Sequence, residues 1–265
     1  MDITQIAQDL VAEQDALDDI VAGASADNWM SPTPSAGWNV ADQIGHLTYF
    51  DRAAAVAISD PGTFSTMVAD LLTAAASGGT SFDDFTLVEF RTMAPHALLK
   101  EWRSARQLLA GAAATLTNDT RVDWYGPSMS GRSFLTARLM EVWAHGQDVV
   151  DAIGVDREGT NRLHHIAQLG FITRQWSYKN RGLAVPDSDV SLKLVAPSGE
   201  IWEFGPEDAH DEVAGPAIDF CLVVTQRRHI DDTGLEATPL AREWLELAQA
   251  FAGPPTDGPP AGPVR

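Results

Sequence analysis

The sequence predicts an α+β protein. An antiparallel four-helix bundle is expected over residues 1–157, a small α+β domain over 158–252, and a disordered Pro/Gly-rich tail over 253–265. Three observations carry this. Four stretches before residue 157 repeat apolar residues at helical spacing. The alternating run Val190-Ser191-Leu192-Lys193-Leu194-Val195 is joined to Ile201-Trp202-Glu203-Phe204 by Pro197-Ser198-Gly199-Glu200, the pattern of a β-hairpin. The composition then shifts to Pro and Gly from Gly253 onward, which disfavours a packed core.

The first helix is expected over 2–23. Ile3, Ile6, Leu10, Leu17, Ile20 and Val21 share one stripe, and Gly23 follows as a stop. Pro32, Pro34 and Gly37 make the next stretch a turn-rich loop. Asn39 suits the N-cap of the second helix, with Asp42 in its first turn. Val40, Ile44, Leu47, Ala54 and Ile58 trace the stripe of that helix, His46 and Phe50 flank it, and Asp60-Pro61-Gly62 ends it. Two shorter helices are expected near 63–76 and 82–92, split by Ser77-Gly78-Gly79-Thr80. Excursions of this kind often shape the mouth of a pocket.

The third long helix begins near Pro95, where proline suits the first turn, and continues to about Leu116. After a loop holding Trp124-Tyr125-Gly126-Pro127, Ser133 is expected to cap the fourth. Leu135, Leu139, Val142, Val149 and Ile153 form its core stripe, and Gly154 closes it. In the second domain a helix is expected over 161–178, then the hairpin, then helices near 215–228 and 239–251.

Composition narrows the function. The net charge of −19 argues against nucleic acid or an anionic membrane as partner, because both require a basic footprint. No apolar run approaches the roughly 18 residues of a membrane span, and the N-terminus lacks the basic and apolar regions of a secretory signal. A cytoplasmic protein acting on a small molecule, as monomer or homodimer, is expected. The single cysteine, Cys221, lies in an apolar run and reads as a buried core thiol, so neither a disulfide nor a Cys-based metal cluster is available. No phosphate-binding loop, dinucleotide fingerprint, nucleophile elbow or zincin helix is present.

The chemistry-bearing candidates are few. Glu141 and His145 lie four apart, so a helix stacks them on one face. That spacing fits an ordinary surface charge pair and a pair of metal ligands alike. Asp148 falls on the same stripe and reads either as a solvated acid or as a residue that orients an imidazole. His96, His210 and the adjacent His164 and His165 are weaker candidates. Arg227-Arg228-His229 is the one basic cluster of an acidic chain. Its arginines either complement a helix C-terminus or grip a substrate carboxylate, the catalytic reading of Arg227 and Arg228.

Two segments carry a resemblance to a known family. The run Gly37-Trp38-Asn39-Val40-Ala41-Asp42-Gln43-Ile44-Gly45-His46-Leu47 and the run Glu141-Val142-Trp143-Ala144-His145-Gly146-Gln147-Asp148 resemble the two motifs of the mycothiol-dependent maleylpyruvate isomerase family, part of the DinB-like metalloproteins. The resemblance implies a DinB-like bundle in which His46, Glu141 and His145 bind one divalent metal. Two imidazoles and a carboxylate suit zinc best, with nickel, iron or cobalt as alternatives. It further implies a metal that activates an exogenous thiol, mycothiol, for isomerisation or transfer on a small acidic or conjugated substrate. The competing expectations are a metal-hydroxide hydrolase, hydratase or ring-opening enzyme, and a non-catalytic metal- or ligand-binding protein. The segments 196–199, 219–229 and 248–255 resemble the C-terminal domain of a metal-binding subgroup of mostly unassigned activity.

Overall fold

The computed structural model describes residues 2–76 and 82–262. The expected break at Ser77-Gly78-Gly79-Thr80 lies outside the described residues. The chain divides into two compact units, Met1–Val155 and Asp156–Arg265. The fold class is α+β. No described helix is long and apolar enough to cross a membrane.

In the first unit, α1 (Ile3–Ala22) buries Ile3, Ile6, Leu10, Leu17 and Val21. Its inner face also buries Glu13, Gln14 and Asp18, which periodicity did not mark. Asp18 is matched by Arg103, whose Nη2 donates to it at 2.6 Å. A short α2 (Ala26–Trp29) is held by a capping box between Ser25 and Asn28. The next helix, α3 (Val40–Ser59), starts with the expected Asn39–Asp42 capping box, in which each side chain bonds the other's backbone N–H. Two excursion helices follow, α4 (Pro61–Ala76) and α5 (Phe82–Leu87), with a 3-10 turn at Phe90–Thr92. That turn packs on α3 at Gly45, where a Cβ would lie 2.9 Å from the Cβ of Phe90. Only glycine admits the close approach, one residue from His46.

The third long helix, α6 (Pro95–Ala113), has proline in its first turn as expected. The two-stranded ladder that follows, β1 (Arg121–Val122) with β2 (Met129–Ser130), was not foreseen. It feeds directly into α7 (Gly131–Ile153), so the N-cap is Ser130 and not Ser133; the Ser130 hydroxyl accepts from the Ser133 N–H. Gly131 makes this start workable, since a Cβ there would lie 3.0 Å from Ile3 Cδ1. Gly154, in the left-handed region at φ 67°, closes α7 as expected.

The four long helices form the bundle. α3 packs along α6 and α7, and α1 packs along the same two. One polar group links all four. Asp51 on α3 is fully buried. It accepts from Gln14 Nε2 of α1 at 2.9 Å, Trp102 Nε1 of α6 at 3.2 Å and Arg138 Nη2 of α7 at 2.9 Å.

In the second unit the expected 161–178 helix is two, α8 (Leu163–Ile172) and α9 (Arg174–Asn180). The break falls at Thr173, whose hydroxyl turns back onto the Leu169 carbonyl. The hairpin is present as β3 (Val190–Val195) and β4 (Ile201–Phe204), with Val195 opposite Ile201. A strand that sequence reading missed, β5 (Asp211–Pro216), pairs parallel to β3. Its acidic start reads as turn, and its Gly215-Pro216 end falls in the helix expected near 215–228. Gly215, at φ 142°, sits where a Cβ would lie 2.8 Å from the Gly234 carbonyl oxygen. After α10 (Ala217–Val224) and the short β6 (Glu236–Ala237), α11 (Pro239–Leu247) ends the helices, and the sheet order is β4-β3-β5-β6. Residues 253–262 contain no helix or strand. They are nonetheless tied to their own unit: Gln226 Nε2 donates to the Thr256 carbonyl at 2.7 Å, and the Gly262 N–H to Asp232.

Cutting the four-helix polar link has a defined cost. Asp51→Ala leaves the Arg138 guanidinium buried without its carboxylate and should lower unfolding free energy by about 3–5 kcal/mol in urea titrations. Arg52→Ala, one residue on, removes a half-exposed pair with Glu101 and should cost under about 1 kcal/mol.

Candidate metal centre

The packing of α3 on α7 brings His46 to Glu141 and His145. One ligand atom from each of the three lies within 4.8 Å of the others. Among the described residues no other group of three or more His, Cys, Asp and Glu side chains comes this close. The imidazole rings of His46 and His145 are 4.4 Å apart between centroids. His145 Nε2 faces Glu141 Oε2 at 3.2 Å, one helical turn along α7.

The walls are aromatic. The loop 31–39 is closed by a bridge between Pro32 and Asn39, and Gly37 takes φ 79° at its tip. It lays the Trp38 indole 5.1 Å from the His46 ring and stacks it 6.0 Å from the His145 ring. Phe50, one turn along α3, sits 4.6 Å from His46 on another side. Arg138, one turn before Glu141, lies over Phe50 with its guanidinium committed to Asp51.

Hydrogen bonding decides which face His145 presents. Its Nδ1 lies 2.6 Å from Gln43 Oε1. Gln43 Nε2 donates to Thr33 Oγ1, and the Thr33 hydroxyl donates to the Trp38 carbonyl. A carbonyl only accepts, so the direction of every bond follows: Gln43 turns its oxygen to His145, and Nδ1 carries a proton. With Nδ1–H spent on Gln43, the Nε2 lone pair faces the Glu141 carboxylate at 3.2 Å. Two acceptors at that distance repel unless a positive species stands between them. A second proton on His145 meets that need, and so does a divalent cation. This electrostatic requirement and the donor set together fit a zinc-type ion.

Burial alone would raise the Glu141 carboxyl. The hydrogen bond and charge of His145, with the charges of Arg138 and His46, outweigh it and bring the carboxyl down to about 2. With no metal bound, Glu141 is therefore held as an anion by these positive neighbours.

The other sequence candidates are placed as follows. Asp148 is buried, accepts from the Ser35 hydroxyl at 3.1 Å, and lies 4.0 Å from His145 Nδ1. The acceptor for the proton on that nitrogen is thus Gln43, which sequence reading did not single out. No local signal marks it, because its partner His145 lies on another helix. Arg227 and Arg228 follow the end of α10, and the backbone N–H of each donates to the Leu222 carbonyl. Their side chains donate to the carbonyls of Thr225 and Arg227 respectively, each at 2.7 Å. His164 packs against Trp202 and Phe204, and His210 is exposed beside Asp211. Cys221 is fully buried, and desolvation pushes its thiol well above the ordinary value.

Comparison with known proteins places this geometry. Residues 10–150 match a family model described as the mycothiol maleylpyruvate isomerase N-terminal domain. Two uncharacterized proteins of Mycobacterium tuberculosis, from strains CDC 1551 / Oshkosh and H37Rv, are each 45% identical over 251 residues, covering 94% of this chain and 96% of their own length. Crystal structures of the mycothiol-dependent maleylpyruvate isomerase and of a point mutant of it superpose with TM-scores of 0.56 and 0.57. Each likeness covers 90% of this chain and 93% of the other, at 18% and 16% sequence identity. At that identity the likeness establishes the shared fold.

Two outcomes check the site. His46→Ala and His145→Ala should each reduce zinc, measured by elemental analysis after dialysis, from a stoichiometric level to a trace. The lowered Glu141 carboxyl contributes stability above its ordinary value of 4.5, and that contribution is lost as pH falls toward 2. Metal-free wild type should therefore lose stability more steeply over that window than Glu141→Gln, read by urea titration. With the family model matched over residues 10–150 and the chain-length likeness to the mycobacterial relatives, this protein belongs to the mycothiol maleylpyruvate isomerase N-terminal domain family.

Proposed function

We propose that the protein is a metal-dependent enzyme of the mycothiol-dependent isomerase or thiol-transferase type, with His46, Glu141 and His145 as the ligands of a divalent ion, zinc in the first instance. The observation that carries this reading is the convergence of two imidazoles and one carboxylate from two helices. Three protein ligands are the number typical of catalytic zinc, in which a further position stays open. Bound there, the metal would act as a Lewis acid that favours the thiolate form of an incoming thiol.

This chain's residues divide the remaining work. Gln43 holds the Nδ1 proton of His145, so Nε2 is kept for the metal. Arg138 bonds Asp51 beneath Phe50, and its charge helps keep Glu141 the anion of the site. Trp38 and Phe50 shield the imidazoles from water on two sides. The only thiol of the chain belongs to the buried Cys221. An attacking sulfur must therefore come from a second molecule, and this supports a borrowed thiol of the mycothiol class. The substrate is small and acidic or conjugated. Arg227 and Arg228 are assigned to its anionic group, since they are adjacent cations in a chain of net charge −19.

The test is thiol dependence. Zinc-loaded protein incubated with a cis-configured conjugated diacid such as maleylpyruvate should isomerise it only when mycothiol is added. Turnover at the same rate without any thiol would instead support water as the attacking group. Arg227→Ala and Arg228→Ala should raise KM for the acidic substrate by about tenfold or more, the loss of a charge-assisted contact worth some 1.5–3 kcal/mol. Zinc content should stay unchanged in both.

A further inference from the structure

Gln43 does more than touch a ligand. It is fully buried and lies at the centre of a chain of four groups: His145 Nδ1–H, the Gln43 amide, the Thr33 hydroxyl and the Trp38 carbonyl. The Trp38 carbonyl accepts twice, from the Thr33 hydroxyl at 3.0 Å and from the Thr33 backbone N–H at 2.8 Å. The terminal acceptor of the chain is therefore a backbone atom inside the loop 31–39, and it exists in this position only while the loop is closed. The same loop is fastened at two further points. Ser35 donates to Asp148, and Trp38 Nε1 donates to Asp83 at 2.9 Å. Through Trp38 it also supplies the ring packed against both imidazoles.

We propose that Gln43 is a positioning residue that couples the metal-ready tautomer of His145 to the closed conformation of loop 31–39. The inference rests on the metal reading of His46, Glu141 and His145. If the loop opens, Thr33 leaves and the Gln43 amide loses the contact that fixes its direction. The amide can then rotate and offer its NH2 to Nδ1, which favours the tautomer with the proton on Nε2, the one unable to bind metal. The coupling runs both ways, because linkage is reciprocal. A metal on Nε2 requires the Nδ1 proton, which requires the Gln43 oxygen, which favours the closed loop. Loop 31–39 is thereby an element whose order depends on metal occupancy, although none of its residues is a ligand.

Two variants test this with no recourse to turnover. Gln43→Leu is close in size and removes both hydrogen bonds. Thr33→Val keeps its shape and removes only the hydroxyl, leaving the contact with His145 in place. Zinc affinity, measured by competition with a chelating dye, should weaken by about 10–100-fold in Gln43→Leu and by a smaller but clear factor in Thr33→Val. Gln43→Glu, which retains an acceptor for Nδ1–H, should restore most of the loss. Amide exchange in residues 31–39 should slow on addition of zinc to wild type, and this response should vanish in Gln43→Leu. In metal-free protein, exchange of the same residues should be faster in Gln43→Leu and Thr33→Val than in wild type. That last arm reads the relay without any metal, so it separates failure of the coupling from failure of the metal reading. Wild-type zinc affinity in both Gln43→Leu and Thr33→Val, with helical circular dichroism intact, would overturn the proposal. So would identical metal-free exchange of the loop in all three proteins.

Discussion

The bond between Asp51 and Arg138 is the constraint on which the bundle and its site both depend. A buried carboxylate is costly to desolvate, and a pair of this kind adds little net stability compared with an apolar replacement. What it supplies is register. Asp51 stands five residues after His46 on α3, and Arg138 stands three before Glu141 on α7. The axial match that lets the two charges meet is the same match that sets His46 opposite Glu141 and His145. Gln14 and Trp102 extend the constraint to α1 and α6. A slide of any one helix by a turn would leave a buried donor or acceptor unmatched.

The site's chemistry follows from how few groups it contains. Arg138 bonds Asp51 at the base of the site and its charge still reaches Glu141. Glu141 stays anionic because positive neighbours outweigh its burial. The chain brings no accessible thiol of its own. On the proposed reading such a centre would hold and activate a partner reagent, and specificity would come from whatever surrounds the open position. Loop 31–39 and the aromatic side chains of α3 provide that surround in the bundle.

Much of this was legible in the sequence, for identifiable reasons. Long amphipathic helices with good caps, such as the Asn39–Asp42 box and the Gly154 stop, declare themselves because the signals are local. The hairpin of Val190 and Ile201 did so through its turn. The cluster proposed as a metal triad was only half legible: Glu141 and His145 share a helix face by spacing, but His46 joins them through tertiary packing, and the family resemblance pointed to it. What stayed hidden depends on non-local partners. β5 carries Gly215 because it closes against the Gly234 backbone, so its acidic start reads as turn and its end as the start of the next helix. The cap fell at Ser130 and not at the expected Ser133 because the β1–β2 ladder runs directly into α7. Gln43 looked like an ordinary polar helix residue, because its role is defined by His145, one hundred and two positions away.

X-ray absorption spectroscopy of the zinc-loaded protein reads directly whether His46, Glu141 and His145 hold the ion. Three ligands drawn from α3 and α7 predict a first shell of nitrogen and oxygen only, at about 2.0–2.1 Å. The fit should include the outer-shell scattering of two imidazoles and no sulfur in the absence of added thiol. A shell of water oxygens without imidazole scattering, or a sulfur at about 2.3 Å before any thiol is supplied, would contradict the account.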